Sequence, residues 1–392
     1  MNVLRGCVVV AVMALAGAAG SGAEVQADKV TAAGLGFEPT ETPKGRLLVA
    51  SSAEFKRVGE GSFIDRKDGG LMLFFDVRRT TGDLDKSFIR VIRSADGGAT
   101  WDAGRTAVED ANASILQPSL CRLGDGRLGM TYSRLTDKTH AAKFFAASAD
   151  EGETWGPPVP LSQGERPYMT GAHDRLIRLA SGRLVSLVHG KTPAPKVSHM
   201  VSFVYTSNDR GATWVNRTPD GLDVDLKPFA ASGEYGFWEP SFVEAAPGRS
   251  LLYGRTATGC LYVSRSRDDA AMWSAPEKTA LPNPLAPVRL TRVPGTDTLL
   301  MFCNPLVDMA SGWHGGARNV LAMRASTDGG VTWGPCRLVE FTKDPNQWYD
   351  YPLVLWTGDT LHLAYRAPHA KTFECSIYYQ RLAKADLVKS GG

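Results

Sequence analysis

Five aspartates recur in one local frame: Asp96 in SADGGATW, Asp150 in SADEGETW, Asp209 in SNDRGATW, Asp268 in SRDDAAMW and Asp328 in STDGGVTW. The serines that open these segments, Ser94, Ser148, Ser207, Ser266 and Ser326, lie 54, 59, 59 and 60 residues apart. A carboxylate can give or take a proton in catalysis, or it can accept hydrogen bonds from the amides of its own turn. The surrounding residues favour the second role. Glycine permits a positive φ and the tryptophan offers a ring to pack between strands, so the segment reads as a stapled turn. SRDDAAMW, with Ala270 where glycine is expected, reads as a staple that tolerates variation. A different set of reactive types stands in GAHDRLIRL (171–179), where His173, Asp174 and Arg175 precede an apolar stretch. Substrate contact and local ion pairing are both consistent with them. The seven histidines and six cysteines show no C-x-x-C, H-E-x-x-H or clustered spacing that would hold zinc. Gly124 to Gly129 satisfies G-x-G-x-x-G but sits in a hairpin turn with no helix after it, so no nucleotide site is expected. No metal or organic cofactor is implied.

The elements that must position these residues show a second pattern in step with the first. GGLMLFF (69–75), GRLGMTY (126–132), GRLVSLV (182–188), GRSLLYG (248–254), TDTLLMF (296–302) and GDTLHLAY (358–365) each set a turn before a short apolar run. Runs of this length bounded by Gly and Asp read as buried strands. No amphipathic helix stands out. Self-similarity with a period of about 50 to 60 residues marks propellers and solenoids. A single small sheet cannot cover both of its own faces, and arranging copies radially leaves only short edges. The pattern predicts an all-β fold: a six-bladed β-propeller forming one domain over residues 24–392. Residues 42–50 and 373–382 are the candidates for terminal strands that complete the last blade.

The N-terminus carries one arginine, Arg5, then the apolar run GCVVVAVMALAGAAG and small residues. This reads as a secretory signal peptide, too short to span a bilayer, with cleavage expected after Ala23 or alternatively Ala27. A secreted or periplasmic chain follows, with no stable membrane insertion. Beyond Cys7 stand Cys121, Cys260, Cys303, Cys336 and Cys375, an odd number that argues against a disulfide scaffold. The net charge of +3 and the absence of a basic run with interleaved aromatics give no reason to expect nucleic acid.

The S-x-D-x-G-x-T-W segments resemble the Asp-box (BNR) repeats of sialidases, and the resemblance extends across nearly the whole mature chain. It implies the sialidase type of propeller. It also implies a site in which a tyrosine assisted by a glutamate attacks the anomeric carbon, an aspartate serves as acid and base, and three arginines hold the substrate carboxylate. A neutral nucleophile suits a substrate that carries its own carboxylate on the reacting carbon, and arginine forks suit a planar carboxylate. FWEPSFVEAAPGRSLLYGRT (237–256) looks like the family segment that gives Glu239 the glutamate's role and places Arg255 in the arginine cluster. GGARNVLAMRASTDGGVTW (315–333) resembles the segment that supplies Arg318. QWYDYPLVLWTGDTLHLAYR (347–366) resembles the tyrosine-bearing segment; counting back from the Gly358 turn favours Tyr349, with Tyr351 its rival. FFDVRRTTGDLDKSFIRVIRS (74–94) resembles the loop with the acid/base aspartate, which favours Asp83, with Asp85 second.

One segment departs from the pattern. Gly59-Glu60-Gly61 stands where the family's F-R-I-P motif would place R-I-P; Arg57 sits two residues early, and Arg78 or Arg79 could reach in from the next loop. A carboxylate at Glu60 opposes a carboxylate substrate unless an arginine neutralises it. Arg175 and Asp174 are further candidates for substrate contact, and Trp238, Trp313 and Trp348 for a sugar-stacking wall. The resemblance implies an exo-glycoside hydrolase that releases a terminal acidic sugar, sialic acid, from a glycan or glycoconjugate with retention. Another exo-glycosidase or polysaccharide lyase on the same propeller, and a glycan-binding protein without turnover, are the alternatives.

Overall fold

The computed structural model describes residues 29–82, 85–137, 140–162, 168–191, 199–224, 236–311 and 316–388. The expected leader, Asp83 and Trp313 lie outside these residues. The described chain is built from strands, with one short α-helix, Lys384–Val388, near the end. Arg57–Asp65, Leu71–Arg78, Ser87–Ser94 and Arg105–Val108 form an antiparallel run that sets the plan for the rest. Its second strand, LMLFFDVR, is buried along its whole length, as a strand covered on both faces must be. All six apolar runs expected from the sequence occupy this second position, in Leu71–Arg78, Leu128–Leu135, Leu184–Lys191, Arg249–Arg255, Leu299–Cys303 and Thr360–Pro368.

The sheets follow one another in chain order, and their inner strands pack side by side. Arg57–Asp65, Ser114–Arg122 and Leu176–Arg178 are neighbours in succession; Leu184–Lys191 packs on Trp238–Ala246, which is followed by Arg289–Arg292 and Asp350–Thr357. Asp350–Thr357 returns to Arg57–Asp65, so the ring closes as a β-propeller. The largest sheet has eight strands, made of the runs that begin at Asp350 and at Arg57 and joined by a single parallel pair, Cys375 with Arg57. Arg46–Val49 pairs with Cys375–Ala383, so the two expected terminal segments do meet.

The recurrent aspartates lie in the turns after the third strand of the first five runs. The Asp96 carboxylate accepts the Thr100 amide at 2.8 Å and the Thr100 hydroxyl at 2.6 Å, while Ser94 Oγ accepts the Gly98 amide at 2.8 Å. Asp328 repeats these bonds with Thr332 and Ser326 with Gly330. In the degenerate copy Asp268 keeps the Met272 amide at 2.9 Å, and Ala270 adopts φ 61°. The glycine has a second function that the turn alone does not reveal. A Cβ on Gly98 would lie 2.1 Å from the Tyr379 hydroxyl, and one on Gly211 2.1 Å from the Phe145 ring, so these turns press against the neighbouring run of strands in the ring.

Candidate active site

The inner strands share a defect at the same height. In each of four, two residues face one on the partner strand: between Val58 and Gly61, Leu116 and Ser119, Trp238 and Ser241, and Asp350 and Leu353. Such a bulge re-aims side chains and releases the ladder, which is why Pro118, Pro240 and Pro352 fit there without costing a hydrogen bond. Gln117, Glu239 and Tyr351, each preceding one of these prolines, have φ of 58°, 46° and 49°, and Asp174 joins them at 55°. Positive φ at a residue other than glycine persists only where the surroundings enforce it. Serine hydroxyls supply part of that enforcement. Ser62, Ser119 and Ser241 accept the amides of Leu120, Arg175 and Leu290 on the neighbouring units at 3.1, 2.9 and 2.9 Å.

The re-aimed side chains meet. Tyr351 Oη donates to Glu239, 2.9 Å from each carboxylate oxygen, and both residues are buried. Burial, and then the charge of Glu239, push the Tyr351 hydroxyl well above its usual pKa. Tyr349, the tyrosine favoured by counting from the turn, is elsewhere. Its ring belongs to the core beside Tyr365, and its hydroxyl meets Thr342 Oγ1 at 3.0 Å. The bulge accounts for the difference, because the extra residue at Tyr351 shifts the register that a straight strand would carry back from Gly358.

Two arginines touch the pair and a third is tied to them through Leu285 and Asp350. Arg255 Nη2 lies 2.9 Å from Glu239 Oε2, its guanidinium rests 3.9 Å from the Trp238 ring centroid, and Nη1 donates to the Leu285 carbonyl at 2.7 Å. Arg318 donates to the same Leu285 carbonyl and to Asp350 Oδ2 at 2.8 Å. Arg366, which the sequence reading passed over, donates through Nε to Asp350 Oδ1 at 2.9 Å and covers the Tyr351 ring at 3.9 Å. Although burial opposes it, Arg366 and Arg318 hold the Asp350 carboxyl below its usual pKa. The signal for Arg366 was present: Arg255 and Arg366 hold equivalent places on their second strands, paired with Trp238 and Asp350 just before the two bulges. Gly59 makes room for it, since a Cβ there would lie 3.1 Å from Arg366 Cδ. Arg57, by contrast, donates to the Thr81 carbonyl at 3.2 Å, and Arg78 is buried 3.4 Å from Asp76.

Glu60 is buried beside this group. Its Oε1 lies 3.4 Å from Arg366 Nη1 and its Oε2 lies 3.7 Å from His173 Nδ1. Burial raises its pKa, but His173, Arg366 and Arg78 outweigh burial and keep it ionised. The ring of His173 packs on that of Tyr351 with centroids 5.2 Å apart. Asp174 accepts from Ser62 Oγ at 2.9 Å and from Arg289 Nε at 2.6 Å, a local network across sheets. Arg175 is buried and donates to the carbonyls of Val288 and Asp174 at 2.7 and 3.3 Å; burial lowers its pKa to about 10. Asp85 is exposed and accepts the Gly82 amide at 3.2 Å within its own loop. Trp238 lies under Arg255 and Trp348 is half-buried. Among the described residues no group of three or more His, Cys, Asp or Glu is placed to hold a metal ion, and no helix is long and apolar enough to cross a membrane.

The sequence profile of the BNR repeat-like domain matches residues 118–363. The chain belongs to that family. Among solved structures it is similar to the Hadza microbial sialidase Hz136, with a TM-score of 0.66 at 19% identity, covering 87% of this chain and 69% of that one. A protein of unknown function from Dyadobacter fermentans matches with a TM-score of 0.66 at 18% identity, covering 87% of this chain and 99% of the other. The Trypanosoma rangeli sialidase in complex with the inhibitor DANA matches with a TM-score of 0.62 at 16% identity, over 90% of this chain but only 58% of its own. At these identities the likeness is one of fold, and the fold is the sialidase type of β-propeller. No curated protein sequence matches the chain.

Proposed function

We propose that this BNR-repeat protein is an exported, retaining exo-glycoside hydrolase that releases a terminal acidic sugar, in the manner of a sialidase, from a glycan. Reading the eight-stranded sheet as two blades joined at Cys375 and Arg57 gives the propeller six blades. The observation that carries the proposal is the hydrogen bond of Tyr351 Oη to both oxygens of Glu239 at 2.9 Å. In the first step Oη attacks the anomeric carbon while its proton passes to Glu239, and the bond to the departing glycan oxygen breaks. That oxygen takes a proton from an aspartate of the loop after Leu71–Arg78, Asp83 or Asp85. Water then gives a proton to that aspartate as its oxygen attacks the anomeric carbon, the bond to Oη breaks, and Glu239 returns its proton to Tyr351. Arg255 steadies the charge of Glu239 and, with Arg318 and Arg366, supplies positive charge for the substrate carboxylate; Arg366 takes the place of the arginine absent at Gly59.

Hydrolysis of a fluorogenic sialoside tests this reading. Turnover should disappear in Tyr351→Phe and fall about 10²- to 10⁴-fold in Glu239→Gln, the range for loss of a general base. Failure of the unaltered protein to act on sialosides, together with activity on a uronate-containing glycan, would favour the other acidic-glycan chemistries. Binding without turnover, unchanged in both variants, would favour a glycan-binding propeller.

A further inference from the structure

Glu60 and His173 present unmet hydrogen-bonding capacity at the centre of the ring. Glu60 is 4% exposed and His173 is fully buried. Glu60 Oε1 is engaged by Arg366, whereas Glu60 Oε2 and both ring nitrogens of His173 have no hydrogen-bond partner among the described residues. Their mutual approach of 3.7 Å is too long for a hydrogen bond. Buried polar atoms of this kind are costly unless something satisfies them. The pair also adjoins the nucleophile proposed above, since the His173 ring packs on Tyr351.

The chemistry of the two groups narrows what satisfies them. An ionised carboxylate only accepts, so its partner must donate; an imidazole with a proton on Nδ1 donates there. A hydroxyl donates to the one and accepts from the other through a single oxygen. Two atoms 3.7 Å apart leave room for one oxygen within hydrogen-bond reach of each. A second carboxylate would be repelled by Glu60, and one carboxylate with one histidine is too few ligands for a bound metal. We propose that Glu60 and His173 form a subsite that grips one ring hydroxyl of the sugar bound against Tyr351. The proposal rests on the glycosidase reading for the position of that sugar. It makes Glu60 and His173 binding residues for the neutral face of the substrate, distinct from the arginines around Glu239 and Asp350.

The test pairs a set of monodeoxy fluorogenic sialosides with the unaltered protein and with Glu60→Gln. One deoxy position should lower kcat/KM by about 10- to 100-fold on the unaltered protein, the worth of a hydrogen bond to a charged group. Glu60→Gln should lower kcat/KM for the full sugar by a similar factor, and combining the two changes should add little, because both remove one contact. If every deoxy sugar is turned over like the full one, the subsite holds water only and the proposal fails. It fails equally if the deoxy penalty persists undiminished in Glu60→Gln. The measurements on the unaltered protein need no variant to fold. Should the unaltered protein hydrolyse none of the glycosides, the glycosidase reading falls separately. Calorimetric binding of free sialic acid and its monodeoxy forms, to the unaltered protein and Glu60→Gln, then decides the subsite by the same criterion.

Discussion

The molecule uses aspartate and glutamate in two regions, and the two behave as different residues. On the rim, Asp96 and Asp328 satisfy themselves within four residues, with the amides and hydroxyls of their own turns. At the centre, the bonds of Glu239 to Tyr351 span 112 residues and that of Glu60 to Arg366 spans 306. Both settings lower a carboxyl pKa, but through different agents. The Thr100 hydroxyl and amide do so for Asp96, whereas at Asp350 the arginines Arg366 and Arg318 overcome the cost of burial. A rim carboxylate therefore holds one turn, and a central one holds several blades at once.

The contrast is broken most sharply at Asp350. Asp350→Asn would leave Arg318 and Arg366 buried without the carboxylate they share, and unpairing a buried ion costs about 3–5 kcal/mol. The urea midpoint should fall accordingly, and glycoside turnover should be lost, because Arg366 covers the Tyr351 ring and Arg318 is tied to it through Asp350. A stable, active Asp350→Asn protein would show that the central carboxylates are as local in effect as those on the rim. The matching change on the rim is Asp328→Asn, which should lower Tm by a few degrees and leave turnover intact. Its pH dependence follows from the depressed pKa of Asp328, lowered from 3.8 to about 2 mainly by the Thr332 hydroxyl and amide. A depressed folded pKa gives stability that is present above 3.8 and lost as the pH falls through about 2. The stability difference between parent and Asp328→Asn should therefore shrink across that window, as followed by thermal unfolding; a constant difference would sink the assignment.

The same contrast explains what could be read from the sequence. The rim turns repeat a local frame, and the second strands repeat a local apolar run, so both are visible within ten residues. Glu239, Arg255 and Arg318 came from segments resembling sialidases, and the fold brings all three together. Arg366 lies in the tyrosine-bearing segment, but its partners are set by strand pairing and by the space at Gly59, which no local pattern records. Tyr349 was favoured over Tyr351 by a count that assumes a straight strand. Only the bulge at Asp350 to Leu353 shows which tyrosine faces Glu239. The non-local pairings carry the site, and composition and spacing do not encode them.

The smallest expected effect is also the cleanest separation of the two tyrosines. Tyr349 holds its neighbourhood mainly through the main chain. Its amide donates to the Arg318 carbonyl at 2.8 Å, and its carbonyl accepts from Asn304 Nδ2 at 2.8 Å. Tyr349→Phe leaves both in place and keeps the ring in the core, removing only the hydroxyl contact with Thr342. The cost should be about 1 kcal/mol of stability, the worth of a neutral hydrogen bond, with kcat/KM unchanged within about twofold because no group beside Glu239 has moved. Side-by-side urea unfolding and sialoside hydrolysis measure both quantities. If Tyr349→Phe instead stops turnover while Tyr351→Phe does not, the bond between Tyr351 and Glu239 is structural. The nucleophile would then have to be sought in the core cluster where Tyr349 lies.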